Sequence, residues 1–212
     1  MTGRSRRRYS LAGVLFVLAV CLSGCLGGQH PPRNPHDICD IFRDNKEWYK
    51  SAHKSFSRWG VPIPVMMAIM YQESKFEADA KPPRTSCLWI FPGPRLSSAS
   101  GYAQALEATW EEYKRYTGNR GADRDDFGDA VDFVGWYCYM SYRRRKISRN
   151  NANSLYLAYH EGQGGFNRGT HNRKPWLKRV AGKVDSRAKT YEKQLASCES
   201  EFQRRRRCLW FF

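Results

Sequence analysis

The run Pro62-Ile63-Pro64-Val65-Met66-Met67-Ala68-Ile69-Met70-Tyr71-Gln72-Glu73-Ser74 constrains this chain more than any other stretch. Gly60 and two prolines open it, and proline suits a helix's first turn, where its missing N–H is no loss. The next two turns are apolar all round, which predicts a helix buried on every side. A carboxylate then closes the run. On helical spacing Glu73 lies over Ile69 and Met70, so the acid shares a face with apolar side chains. An anion there is poorly solvated, and its pKa is expected to rise toward neutrality. That is the property a general acid needs at working pH. A Glu ending a buried helix is also a common member of structural ion pairs, so Glu73 alone does not establish catalysis.

Residues 1–24 read as an export leader. Arg4, Arg6, Arg7 and Arg8 form its positive region, and Leu11 to Leu22 form an apolar core too short for a comfortable membrane span. Leu22-Ser23-Gly24-Cys25 resembles the lipobox of bacterial lipoproteins, which implies cleavage before Cys25 and acylation of its sulfur and amine. Cys21 fits less well, because Val20 is bulkier than the small residue the pattern asks for. Leu26, where an Asp would signal retention, implies an outer-membrane lipoprotein facing the periplasm. An ordinary secretory signal or an uncleaved anchor would also export the chain. Residues 25–36, with three prolines between Gln29 and Pro35, read as a tether. Residues 37–198 read as one domain with a proper core, and 199–212 as a basic, aromatic tail.

The formal charge is +16. Setting aside four positive charges in the leader and a net two in the tail leaves +10 on residues 26–198. A field of that sign draws in anions. An exported protein meets little nucleic acid, so peptide carboxylates of the cell wall and anionic lipid head groups are the expected partners. Apart from Cys21 and Cys25 the cysteines are Cys39, Cys87, Cys138, Cys198 and Cys208, and their spacing suggests no metal site. A Cys39–Cys198 disulfide would tie the ends of the domain together. Such a bridge contributes roughly 4 kcal/mol in the chain-entropy model, but spacing leaves the connectivity open.

The remaining pattern is helical almost throughout. Helices are expected over 40–59 (stripe Ile41, Trp48, Ala52, Phe56, Trp59), 104–116 (Leu106, Trp110, Tyr113), 126–145, 153–160 and 176–197. The aromatics read as core, not as a sugar platform. From Ala80 to Ser98, Pro82, Pro83, Pro92 and Pro94 interrupt helix formation around the apolar run Leu88 to Phe91. That insertion reads equally as a functional lid or as a hairpin tucked onto the domain.

Three further segments carry chemistry. Glu73-Ser74-Lys75-Phe76 ends the buried helix, Gly101-Tyr102-Ala103-Gln104 opens the next element, and Ala158-Tyr159-His160-Glu161-Gly162 follows. Their order and spacing resemble the soluble lytic transglycosylase (SLT) domain, a mainly α, lysozyme-like fold related to goose-type lysozyme. Tyr191 matches that family's late tyrosine. The resemblance covers about residues 61–195, with departures at Tyr102, Ala103, His160 and Glu161 and in the insertion. It implies cleavage of peptidoglycan between N-acetylmuramic acid and N-acetylglucosamine, with Glu73 as single acid and base and a 1,6-anhydro product. It implies substrate-binding positions at Ser74, Gly101, Tyr102, Gln104, Tyr159, His160 and Tyr191. Ser74 would orient the carboxyl, Gln104 and Tyr159 would hold acetamido or hydroxyl groups, and Tyr191 would bound the catalytic subsite. It implies no cofactor and no metal. Partners are then the glycan strand, a membrane through the lipid anchor, and any cell-envelope complex the location allows. Two rivals stand beside it: a hydrolase using Glu161, Asp79 or Glu77 as a second carboxylate, and a non-catalytic peptidoglycan-binding lipoprotein.

Overall fold

A computed structural model describes residues 30–82, 84–87, 91–95 and 97–203, with segments 84–87 and 91–95 described by backbone alone. The leader with Cys25, the insertion's tip at 88–90 and the tail from Arg204 lie outside the described residues.

The apolar run forms a helix over Ile63–Ser74, here α3, and every side chain from Ile63 to Met70 is buried. Burying one such side chain contributes about 1.5–3 kcal/mol. Before α3 come α1 (Ile38–Asp44) and α2 (Lys46–Trp59). A single helix was expected over 40–59, but Asn45 leaves helical geometry at φ −128° and ψ 77° and splits it. Asp37 caps α1 by accepting from the amides of Cys39 and Asp40, the usual work of an acidic N-cap. Gly60 ends α2 in the left-handed conformation. Ile41, Trp48, Ala52 and Trp59 face inward as the stripe predicts, whereas Phe56 is 42% exposed.

The insertion contains a two-stranded antiparallel hairpin, β1 (Arg84–Cys87) and β2 (Phe91–Arg95). Both strands are edges, so Pro92 and Pro94 are tolerated in β2. Helix α4 spans Glu107–Thr117, three residues later than expected, and Leu106 faces outward. Helix α5 (Phe127–Arg145) is capped by Asp126 and packs on α2 and α3. Helix α6 (Ala152–Asn167) runs past the expected stop at 160 and bends at Gly162, whose φ of 71° and ψ of 156° are not helical. A 3₁₀ turn at Thr170–Arg173 leads into α7 (Pro175–Gln203), which packs along α3 and α6.

A Cys39–Cys198 disulfide joins α1 to α7 across 159 positions of sequence, while Cys138 is a free thiol buried in α5. The proline-rich segment before α1 is not a loose tether throughout. The compact unit begins at Pro31. Arg33 pairs with Asp44 at 2.9 Å, and the Gln194 amide nitrogen donates to the His36 carbonyl at 3.2 Å. Among the described residues no helix is long and apolar enough to cross a membrane, and no cluster of three or more His, Cys, Asp or Glu side chains could hold a metal ion.

Candidate active site

The end of α3 is set by a sharp reversal. Lys75 and Phe76 both adopt positive φ, 54° and 66°, although neither is glycine. Such left-handed residues cost on the order of 1–2 kcal/mol each. The buried Phe76 ring offsets that cost by packing against Trp48 and Tyr71. The Ser74 hydroxyl accepts from the Phe76 amide at 3.1 Å and donates to the Tyr102 carbonyl at 2.8 Å. Ser74 therefore holds the backbone on which Glu73 sits; its hydroxyl is engaged with backbone groups and does not orient the carboxyl directly.

Glu73 follows the buried Ile69 and Met70 by one helical turn. Burial pushes its carboxyl up to about 7, against the opposing pull of a hydrogen bond with Tyr156. The negative end of the α3 dipole lies at the same place and also disfavours the anion. At neutral pH this carboxyl therefore exists in both protonation states.

The second wall is a tight turn over residues 100–105. Gly101 adopts φ +75°, and an added Cβ would overlap the Arg124 carbonyl, so only glycine fits. Its amide donates to the Ala80 carbonyl at 3.0 Å. Gln104, also at positive φ, donates its amide nitrogen to the carbonyls of Ala80 and Gly101 at 2.8 and 2.9 Å. Its side-chain oxygen remains to accept from a ligand. The expected helix does not begin here because these hydrogen bonds close the turn first.

The third wall is α6. The Tyr159 hydroxyl donates to the Ala103 carbonyl at 2.6 Å, and its ring packs edge-on to Tyr137 at 5.0 Å. Tyr159 thus ties α6 to the 100–105 turn, and its hydroxyl proton is committed to the Ala103 carbonyl. His160 is exposed and its Nδ1 lies 3.1 Å from Glu161. The Glu161 carboxylate is 4% exposed, accepts from Lys174 Nζ at 2.8 Å and from the Thr170 hydroxyl, and is held down at about 2 by those partners.

Glu73, Ser74, Gly101, Gln104, Tyr159 and His160 are therefore brought together on three neighbouring segments. Two expected members are not. The Tyr102 ring is wholly buried against Trp48 and Phe127, so only its backbone serves the site. Tyr191 is wholly buried on α7, and its hydroxyl donates to the Pro35 carbonyl; it anchors the N-terminal segment and does not bound a subsite. Glu77 and Asp79 are exposed beyond the end of α3. Cys25 lies outside the described residues.

Tyr156 is the residue that sequence reasoning missed. It lies one turn before Tyr159, and that three-residue spacing was the available signal. It is buried and hydrogen-bonds Glu73. The structure thus brings an acid of raised pKa, a buried phenol and a braced turn to one place. No curated protein matches the chain. A family model described as the transglycosylase SLT domain matches residues 13–198, a longer span than the motifs alone cover. With its mainly α, lysozyme-like architecture, the chain belongs to the transglycosylase SLT-domain family.

Proposed function

We propose that this protein cleaves the β-1,4 bond between N-acetylmuramic acid and N-acetylglucosamine in peptidoglycan, using Glu73 as its only acid and base. Family membership implies the coarser activity, lytic transglycosylase action on peptidoglycan. The observation that carries the finer reading is the Glu73 carboxyl, raised to about 7 by burial beside Tyr156. Protonated Glu73 gives its proton to the bridging oxygen as the bond to the muramic C1 breaks. The muramic 2-acetamido oxygen stabilises the cationic carbon, a part that a second carboxylate plays in most glycosidases. Glu73, now an anion accepting from Tyr156, takes the proton of the muramic 6-hydroxyl while that oxygen bonds to C1. The acid is regenerated, no water is consumed, and the product is 1,6-anhydro.

Gln104 and His160 supply the polar contacts to the sugars in this reading. The second-carboxylate rival lacks support: Glu161 is sequestered by Lys174 and Thr170, and Glu77 and Asp79 lie out in solvent. Export by residues 1–24 and acylation of Cys25 would put the domain at the outer membrane, facing the periplasmic cell wall. Cys25→Ser should release the protein into the soluble fraction or leave it uncleaved; processing and fractionation identical to wild type would refute the anchor. The chemistry is tested by mass spectrometry of sugars released from purified cell walls. The expected muropeptides are lighter than hydrolysed ones by one water. Reducing ends would establish a lysozyme, and no release at all a binding protein.

A further inference from the structure

Trp176 stands at the start of α7 with 47% of its surface exposed, unusual for so large an apolar side chain. Among the described residues the other exposed aromatics have local partners. The Arg149 guanidinium covers the Tyr142 ring at 4.8 Å. Tyr116 leans on Trp59 and Trp136, and Phe56 on His53. Trp176 has a local partner too, His160, and through it ends a line of side chains that starts at Glu73. Tyr156 hydrogen-bonds Glu73, the His160 ring lies 6.4 Å from Tyr156, and the Trp176 ring lies 5.2 Å from His160, nearly edge to face at 78°.

The same rings are braced from beneath. Glu161 joins His160 Nδ1 on α6 to Lys174 just before α7, and its other oxygen accepts from Thr170. A carboxylate on α6 with two partners in the 170–174 turn ties α6 to the start of α7, and so holds His160 near Trp176. Only the Glu161 carboxylate of this cluster is covered, while Lys174 and His160 remain open to solvent at its rim.

We propose that Trp176, held by His160 and the Glu161 cluster, is a stacking platform for a pyranose ring of the glycan strand, on one side of the bond that Glu73 cuts. Pyranose rings of β-linked glycans present apolar C–H faces and polar rims. An indole face matches the first, and the neighbouring imidazole can hydrogen-bond the second. The inference rests on the proposed action of Glu73 and adds where the strand is gripped.

The test measures binding apart from cleavage. Full-length Glu73→Gln protein is titrated calorimetrically with soluble glycan chains of alternating N-acetylglucosamine and N-acetylmuramic acid, stripped of stem peptides. Adding Trp176→Ala should weaken binding about tenfold. Trp176→Phe should recover most of the loss, and His160→Ala should cost about threefold. In protein with Glu73 intact, Trp176→Ala should raise KM with kcat changed less than twofold, the signature of a binding contact distant from the reacting atoms. A double variant that binds within twofold of Glu73→Gln would overturn the platform while leaving the Glu73 chemistry standing. A Glu73→Gln parent that binds no glycan would overturn both.

Discussion

Glu73 at the end of α3 and Glu161 on α6 have been driven to opposite ends of the carboxyl range. Glu73 closes a helix of buried apolar side chains, with a phenol as its hydrogen-bond partner, and titrates at about 7. Glu161 is almost fully covered too, but a lysine, a threonine and a histidine satisfy it, and it titrates at about 2. Partner supply separates them. A carboxylate buried with a cation becomes a fixed charge that organises structure, whereas one buried without a cation becomes a proton donor. Both residues lie in motif segments, so position in a motif does not by itself tell which carboxyl does chemistry.

The largest effect expected is on Glu73. Glu73→Gln keeps the shape but cannot transfer a proton, so lysis of purified cell walls should fall about 10²–10⁴-fold. The same substitution should stabilise the fold at alkaline pH. A raised carboxyl pKa means that the folded state binds the proton more tightly than the unfolded one. Wild type therefore loses stability as pH rises from about 4.5, and the loss levels off above about 7. Glu73→Gln escapes that penalty, which is at most about 3 kcal/mol. The two proteins should melt alike at pH 4.5 and diverge by pH 8.

Glu161→Gln should act the other way round. Its depressed pKa contributes stability above about 4.5 that is lost as pH falls toward 2. Removing the charge strands Lys174, which is 41% exposed, so the cost is about 1–2 kcal/mol at neutral pH. The melting midpoint should drop by a few degrees, with kcat reduced far less than in Glu73→Gln. A loss of kcat matching that of Glu73→Gln would mean that Glu161 is a second catalytic carboxylate.

Tyr156→Phe sharpens the comparison further. Tyr156 pulls the Glu73 pKa down, so its removal should push the alkaline limb of the pH–rate profile upward, with kcat falling several-fold. Smallest of all, Glu77→Gln and Asp79→Asn should leave lysis within about twofold of wild type, since exposed surface charges contribute little.

Much of this was legible in the sequence because α3 is apolar at every position of two turns. That pattern has one burial solution, and it carries Glu73 with it. The stretch from 101 to 105 was harder to read. Gln104 looks like a helix start, and only tertiary hydrogen bonds to Ala80 and Gly101 turn it into a loop. Tyr191 matches a family position and Tyr102 departs from one, yet both rings are core, because whether a tyrosine points into a groove or away from it depends on packing that spacing does not encode. Trp176 left no mark in the sequence: an aromatic at the first turn of a helix reads the same whether it is sealed or exposed.

The most direct test is a carboxyl ¹³C NMR titration of the full chain labelled at its glutamates. One resonance, absent from Glu73→Gln, should titrate near pH 7, and another, absent from Glu161→Gln, should stay ionised down to about pH 3. A Glu73 resonance titrating near 4.5, as an ordinary glutamate does, would contradict the account.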